Sequence, residues 1–526
     1  MKYKFFLFVF VLGGAGQLLS QNQPPVLNNL TAVTNWSNQT VTLTYDVSDA
    51  ENDPLDIRVQ VSNTEGNTYT LTGQITATGD MGFPVTPGPG KTINLDFSAL
   101  TSLTGPFTVR VIADDQQPFD YQSLVDAVDS NRLRNDLMFV QGIRHRISNP
   151  AQLATTQDTL RNCFVQAGLY MNEQTFPYQN YTGRNIIGTL RGIQSGEQVV
   201  IVDAHYDSVI DAPGADDNGS GTVGVMEIAR LLSEYPTRKT VRFIGFDLEE
   251  AGLIGSLRYV QSGIPNGEDI LGVYNFEMIG YYTETPNTQD VPTGFNQLFP
   301  AAYNEIQANQ FRGDFLINVG NFNSLAFGQE FENLAAQYVP DLKVISIFPP
   351  GNSEIAPDLR RSDHARFWDA GHEALMLTDG ADFRNDCYHT PMDTLDKLNF
   401  TFMSNVVKAT LVAAAVKADV VHGDWSTVSF QGVPSATNNL NDPCDMFVRP
   451  LNNGTLIFTS SRCPWHEVQV EVFDAKGSLL YHETVQLSNS PGYTQFIQVP
   501  TPLSAGTYLV RLSGEFGSKV QKMLIP

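Results

Sequence analysis

The sequence predicts an α/β protein: a doubly wound, mainly parallel sheet in mid-chain, with an all-β sandwich before it and another after it. Three observations point there. Within residues 120–422, apolar strand runs (QVVIVDA, TVRFIGFD, LGVYNFEMIG, EALMLTD) alternate with helical stretches such as GTVGVMEIARLLSEY. That alternation builds crossover units with helices on both faces of a sheet. Residues 24–115 and 444–526 instead carry short runs of period-two alternation broken by turn residues, the pattern of sandwiches. The chain of 526 residues is also too long for a single core.

In chain order, residues 1–21 place Lys2 and Lys4 ahead of an apolar run that ends in small and polar residues. This is the layout of a secretory signal peptide, with cleavage expected near Ser20 to Asn22. TVTLTYDVSD, DIRVQVSN, KTINLDF and FTVRVIADD supply the strands of the first sandwich, 24–115. Its Asp49-Ala-Glu51-Asn-Asp53 turn has calcium-ligand chemistry, although an acidic turn is the simpler reading. The central domain closes with FTFMSNVVKATLVAAAVKADVV, where Lys417 and Asp419 mark a buried helix and not a membrane span. SATNNLNDP, residues 435–443, reads as a linker before the last sandwich, 444–526.

The formal charge is −24, which argues against broad binding to nucleic acid or anionic membrane and otherwise serves solubility. Export permits disulfides. Cys444 and Cys463 are close in sequence within one small domain and are the favoured pair, leaving Cys163 with Cys387 by exclusion. No Cys-x-x-Cys spacing suggests a cysteine metal site.

The chemistry sits at strand ends, where ligands collect in open α/β sheets. VVIVDAHYD ends in His205-x-Asp207, PGADDNGSG offers Asp216 and Asp217 in a glycine-rich turn, and FIGFDLEE ends in Glu249-Glu250. Glu277 follows VYNF, and His389 lies in the loop DCYHTPMDT. Imidazole and carboxylates gathered this way make a hydrolytic zinc site. Asp207 can fix the tautomer of His205. Of the two adjacent Asp, one can cap the following helix while the other binds metal. Adjacent Glu249 and Glu250 repel unless a cation compensates them; one as ligand and one as general base resolves the conflict. His364 in SDHARFW reads as structural, and His145, His372, His422, His466 and His482 have no partner pattern.

These five motifs, in this order, resemble the dizinc aminopeptidases that include bacterial leucyl aminopeptidase, with glutamate carboxypeptidase and glutaminyl cyclase as relatives. The resemblance covers about 120–420. It implies two zinc ions bound by His205, Asp217, Glu250, Glu277 and His389, with Asp217 bridging. Glu250 and His389 would complete one site, and His205 and Glu277 the other. It makes Glu249 the general base for attack by a zinc-held hydroxide, Asp207 and Ser362 supporting residues, and the Asp217–Asn218 peptide cis. Many members have Asp where this chain has Glu277. The C-terminal unit, with FDAKG, LSAGTYLVRLSG and KVQKMLI, resembles the type IX secretion sorting domain through Gly506, Tyr508, Val510, Arg511 and Lys522. That implies passage across the outer membrane, partnership with the type IX machinery, and release or surface attachment.

The expected function is therefore a secreted exopeptidase that removes N-terminal residues from peptides. Three alternatives remain. A carboxypeptidase would grip a terminal carboxylate with Arg360, Arg361 or Arg366. A glutaminyl cyclase would hold one zinc, and a surface adhesion protein none. Met278, Phe383 and Tyr388 are candidate pocket residues by their nearness to the ligands.

Overall fold

The structure is a computed structural model. It describes residues 22–432 except 101, 102 and 104, and most of the strands between 445 and 525. The expected leader (1–21), the linker (435–443) and both Cys444 and Cys463 lie outside the described residues. The chain forms two compact units: residues 1–102 with 106–430, and residues 431–526 with 103–105.

Seven strands open the first unit: β1 (Val26–Asn35), β2 (Thr40–Ser48), β3 (Leu55–Ser62), β4 (Thr76–Gly79), β5 (Gly82–Val85), β6 (Gly88–Asp96) and β7 (Pro106–Asp114). One sheet has the order β1-β2-β6-β4. Inward alternation is clean, with Val41, Leu43, Tyr45 and Val47 of β2 buried. The expected acidic turn is present: Asp49 accepts from the backbone N–H of Asp53 at 2.8 Å.

Eight strands form the central sheet: β8 (Tyr170–Tyr178), β9 (Tyr181–Leu190), β10 (Ser195–His205), β11 (Lys239–Phe246), β12 (Asp269–Phe276), β13 (Leu316–Gly320), β14 (Val344–Ile347) and β15 (Ala374–Thr378). Their order is β14-β13-β15-β12-β10-β11-β9-β8. Strands β15, β12, β10 and β11 run parallel, but β9 is antiparallel to β11 and β13 to β15. The sheet is thus mixed, parallel in the middle and antiparallel toward both edges. A reason is visible on one side. Tyr178 pairs with Tyr181, and a turn that short can return the chain only antiparallel.

Strand β10 is buried on both faces. Val200, Val202 and Ala204 pack in the core that contains helices Gly221–Leu232 and Phe400–Ala418, and Val199 and Ile201 in the opposite core with Tyr259, Phe367 and Trp368. Helix Phe400–Ala418 is the one described helix long and apolar enough to cross a membrane, and 67% of its most apolar window is buried inside the fold.

One strand overturns the expected boundaries. β16 (Gly423–Gln431) lies beyond the central domain, yet it completes the first sandwich in a sheet of order β16-β7-β3-β5. The central domain is therefore inserted into that sandwich. Polar contacts fix the join. Arg110, 3% exposed, donates to the carbonyls of Arg191 (3.0 Å) and Gly192 (3.4 Å), and Gln60 donates to that of Ile193 (2.9 Å). These carbonyls lie in the turn that feeds β10, at the end opposite His205. His422 is also not partnerless: its Nδ1 is 2.7 Å from Asp115 Oδ2.

The expected Cys163–Cys387 pair does not form. Both thiols are free, Cys163 buried in helix Pro150–Gln166 with its Sγ 3.7 Å from the Met226 carbonyl, Cys387 in the His389 loop. In the second unit, strands β17 (Asp445–Pro450), β18 (Thr455–Ser461) and β21 (Tyr493–Gln498) form one antiparallel sheet, and β19 (Glu467–Phe473), β20 (Leu479–Gln486), β22 (Gly506–Gly514) and β23 (Gly517–Ile525) another. Val470, Val472, Val510 and Leu512 lie in its core, and Arg511 pairs with Glu471 across strands.

The His422–Asp115 pair yields a pH-dependent expectation. The hydrogen bond to Asp115 raises the His422 pKa. A raised imidazole stabilises fully below its unfolded value, about 6.5, and loses that contribution as pH climbs through the folded value. Urea unfolding of His422→Gln should show a loss of about 1.5–3 kcal/mol near pH 5.5. The gap should shrink near pH 9, and an equal gap at both pH values would refute the charged pair.

Candidate active site

The site lies beyond the carboxyl ends of β10, β11 and β12, three parallel strands with β10 in the middle. His205 ends β10 on the same side as Val199, Ile201 and Asp203, and is fully buried. Glu249 and Glu250 follow β11, Glu277 follows β12, and Asp217 comes from the turn before helix Gly221–Leu232. The His389 loop follows β15.

Asp217 stands between the two imidazoles. Its Oδ1 is 3.3 Å from His205 Nε2, and its Oδ2 is 2.9 Å from His389 Nε2. His205 Nε2 is also 3.3 Å from Glu277 Oε2, and His389 Nε2 is 3.2 Å from Glu250 Oε2. Two clusters of donor atoms result, His205 with Glu249 and Glu277, and Asp217 with Glu250 and His389. Proximity alone would put Glu249 in the first cluster. Its Oε2 is nevertheless 3.9 Å from His205 Nε2, farther than Asp217 or Glu277. Ser362 Oγ donates to Glu277 Oε2 at 2.8 Å. The Asp217–Asn218 peptide is cis.

His205 Nδ1 lies 3.2 Å from the Asp207 carbonyl oxygen and 3.5 Å from its carboxylate. The carboxylate also accepts the backbone N–H groups of Glu249 (3.0 Å) and Glu250 (3.3 Å). Asp216 does not cap the helix. Ser220 is the N-cap, while Asp216 accepts from Gly280 N and Asn385 Nδ2. His364 is structural, bonded to the Leu359 carbonyl and packed edge-on against Trp368.

The electrostatics are those of a cation site. Four carboxylates with little exposure to solvent, Asp217, Glu249, Glu250 and Glu277, meet the buried His205 and the more exposed His389. Burial pushes Glu249 well above the ordinary carboxylate range, with Glu277 and Glu250 adding to it against His205. Burial also lifts Glu250 to about 7, aided by the charge of Asp217. Burial acts on Asp217 in the same direction, but the neighbouring imidazoles of His205 and His389 outweigh it and hold that carboxyl low. His389 is carried up to about 10, its bonds to Asp217 and Glu250 overcoming burial. His205 rises likewise, burial being outweighed by Glu249 and Glu277. The imidazoles thus hold protons that a metal would displace. Three buried atoms aimed into the cluster, His205 Nε2, Asp217 Oδ1 and Glu250 Oε1, have no hydrogen-bond partner. Nitrogen and oxygen donors in that number fit zinc.

Beside Glu277 and Tyr388 opens a pocket with Phe295, Ile306, Ile317, Val319, Ile347 and Met376 among its walls. Phe383 also lines it, as expected, whereas Met278 is buried elsewhere. Tyr388 stacks on the His389 ring at 3.8 Å.

A family model for peptidase family M28 matches residues 185–414, which contain every one of these residues. An uncharacterized Escherichia coli protein, YfbL, is 31% identical over 273 residues, covering 49% of this chain and 79% of that protein. The chain belongs to peptidase family M28. The Bacillus subtilis aminopeptidase YwaD is 49% identical over 84 residues, covering 16% of this chain and only 18% of that protein. A probable zinc metalloprotease of Pyricularia oryzae is 26% identical over 346 residues, covering 58% and 67%. Among solved structures, the Legionella pneumophila LapA aminopeptidase matches at 20% identity and a TM-score of 0.45, covering 58% of this chain and 78% of that one. Membership in the family and relatives with these names support a zinc aminopeptidase hydrolase.

Zinc should stabilise the fold measurably. An ion at 100 times its dissociation constant adds about 2.7 kcal/mol per site. Chelator-stripped protein should therefore melt lower and recover when zinc, but not magnesium, is restored. A melting temperature indifferent to zinc would exclude a metal role for this cluster.

Proposed function

We propose that this M28 chain is an exported aminopeptidase that binds two zinc ions and removes apolar N-terminal residues from peptides. His205 and Glu277 would hold one ion and Glu250 and His389 the other, with Asp217 shared. Bound zinc would supply Lewis acidity at the scissile carbonyl and acidify the attacking water. Glu249, whose Oε2 stands 3.9 Å from His205 Nε2, would take the proton of the attacking water and deliver it to the leaving amine. Ser362 orients Glu277, and Asp207 holds the Glu249–Glu250 backbone.

One observation favours the amino end of the substrate. The three arginines that might grip a terminal carboxylate are already engaged. Arg360 is bonded to Asp369 and the Asn352 carbonyl, Arg361 to Asp382 and Tyr388, and Arg366 to the Gly252 carbonyl and Asp369. A terminal carboxylate therefore meets no uncommitted partner among these three arginines, whereas an α-amine needs none of them. The apolar cavity beside Glu277 would take the first side chain. A panel of aminoacyl chromogenic substrates tests the reading: leucyl and phenylalanyl derivatives should be cleaved well, glutamyl and lysyl ones poorly, and none after chelation. Release of C-terminal residues from amino-blocked peptides would favour a carboxypeptidase instead.

Glu249→Gln should lower turnover by about 10²–10⁴ while zinc content stays near two per chain. If the variant loses zinc, Glu249 is a ligand and its role has been exchanged with that of Glu250.

The second unit is compact on its own, which supports a separate role in sorting through the type IX machinery, with signal-peptide export before it. Removing residues 444–526 should leave specific activity unchanged and trap the enzyme in the periplasm of its native host. Normal appearance of truncated enzyme in the medium would remove the sorting role.

A further inference from the structure

Asp393 has no part in the scheme above, yet it is fully buried and makes contacts of an unusual kind. It stands four residues after His389, in the same loop. Its carbonyl accepts the backbone N–H of Ala215 (3.2 Å), its Oδ1 that of Asp216 (2.8 Å) and its Oδ2 that of Asp217 (3.1 Å). One residue thus binds three consecutive N–H groups of the turn that presents Asp217. A second strut runs parallel, from Asn385 Nδ2 to Asp216 Oδ2 at 2.8 Å.

The turn is held from its other side by Arg144, also fully buried, which donates to the carbonyls of Pro213 and Gly214, each at 2.8 Å. Gly214 has φ +59, and a Cβ there would lie 2.2 Å from the Asp217 carbonyl oxygen. The turn has no room to relax. Two buried groups of opposite charge therefore bracket it, one pulling on its N–H groups and the other on its carbonyls. Asp217 and His389 come from distant parts of the chain, but through Asp393 they share one rigid unit.

We propose that Asp393 is a positioning residue for the metal pair: by clamping the 215–217 backbone to the His389 loop, it fixes the separation between the Asp217 carboxylate and His389. The proposal rests on the reading of those two residues as metal ligands. Asn is nearly isosteric with Asp but replaces one acceptor oxygen with an NH₂ group. That group would face a backbone N–H, leaving one donor unpaired and letting the turn shift.

The test is zinc titration of the full-length, metal-stripped protein against a chelating dye, comparing wild type, Asp393→Asn and His389→Ala. Wild type should take up two zinc ions. Asp393→Asn should bind the weaker-held ion about 10–100-fold less tightly, approaching the loss seen in His389→Ala. The cobalt(II) absorption spectrum should change in intensity, which a general loss of stability would not produce in protein that remains folded. Unchanged affinity for both ions, with an unchanged cobalt spectrum, would overturn the proposal. A wild type that takes up no zinc would instead bring down the ligand reading beneath it. If Asp393→Asn does not fold, Asp393→Glu keeps the charge and both acceptors but moves them by one methylene. The same weakening there supports the clamp, and wild-type affinity refutes it.

Discussion

Four carboxylates that converge where almost no water reaches them set the terms for the rest of this structure. Asp217, Glu249, Glu250 and Glu277 meet around His205 and His389 at the carboxyl ends of a sheet buried on both faces. In such surroundings like charges cannot all persist without a cation. The protons drawn onto both imidazoles, and the unpartnered atoms of His205, Asp217 and Glu250, are two expressions of the same deficit. The fold serves the site by keeping it dry. Helices on one face and the Phe367–Trp368 layer on the other seal β10 along its length.

A pocket with apolar walls beside Glu277 offers burial to a side chain. Without a free cation at its mouth, nothing there compensates an acidic one, because Arg361 is committed to Asp382 and Tyr388. In the function proposed above, the apolar pocket would take the side chain of the substrate's first residue.

The first sandwich acts at the far end of the sheet. Its last strand, β16, arrives after the whole central domain, and Arg110 and Gln60 grip the carbonyls just before β10. The strand that ends in His205 is therefore anchored at one end by the sandwich and at the other by the polar network around the site. Removal of the sandwich would leave β10 without its polar contacts at 191–193.

The sequence by itself determined the class of fold and which residues carry the chemistry. Period-two runs and strand–helix alternation report burial, which is local. Acidic and imidazole side chains at the ends of apolar runs report function, because few other tasks tolerate them there. His205, Glu249, Glu250 and Glu277 were legible for that reason, whereas Asp217 and His389 were singled out by the family resemblance. The tertiary structure decided whatever depends on partners far away in the chain. It sent the Asp207 carboxylate to the Glu249–Glu250 backbone, gave Asp115 to His422, kept Cys163 and Cys387 apart, returned β16 to the first sandwich and placed Asp393 under the Asp217 turn. Nothing in residues 389–394 distinguishes Asp393 from an ordinary loop acid until the 215–217 backbone lies against it. Hydrogen-bond partners are chosen by position in space, and a linear pattern of polarity holds no record of which distant segment will fill that position.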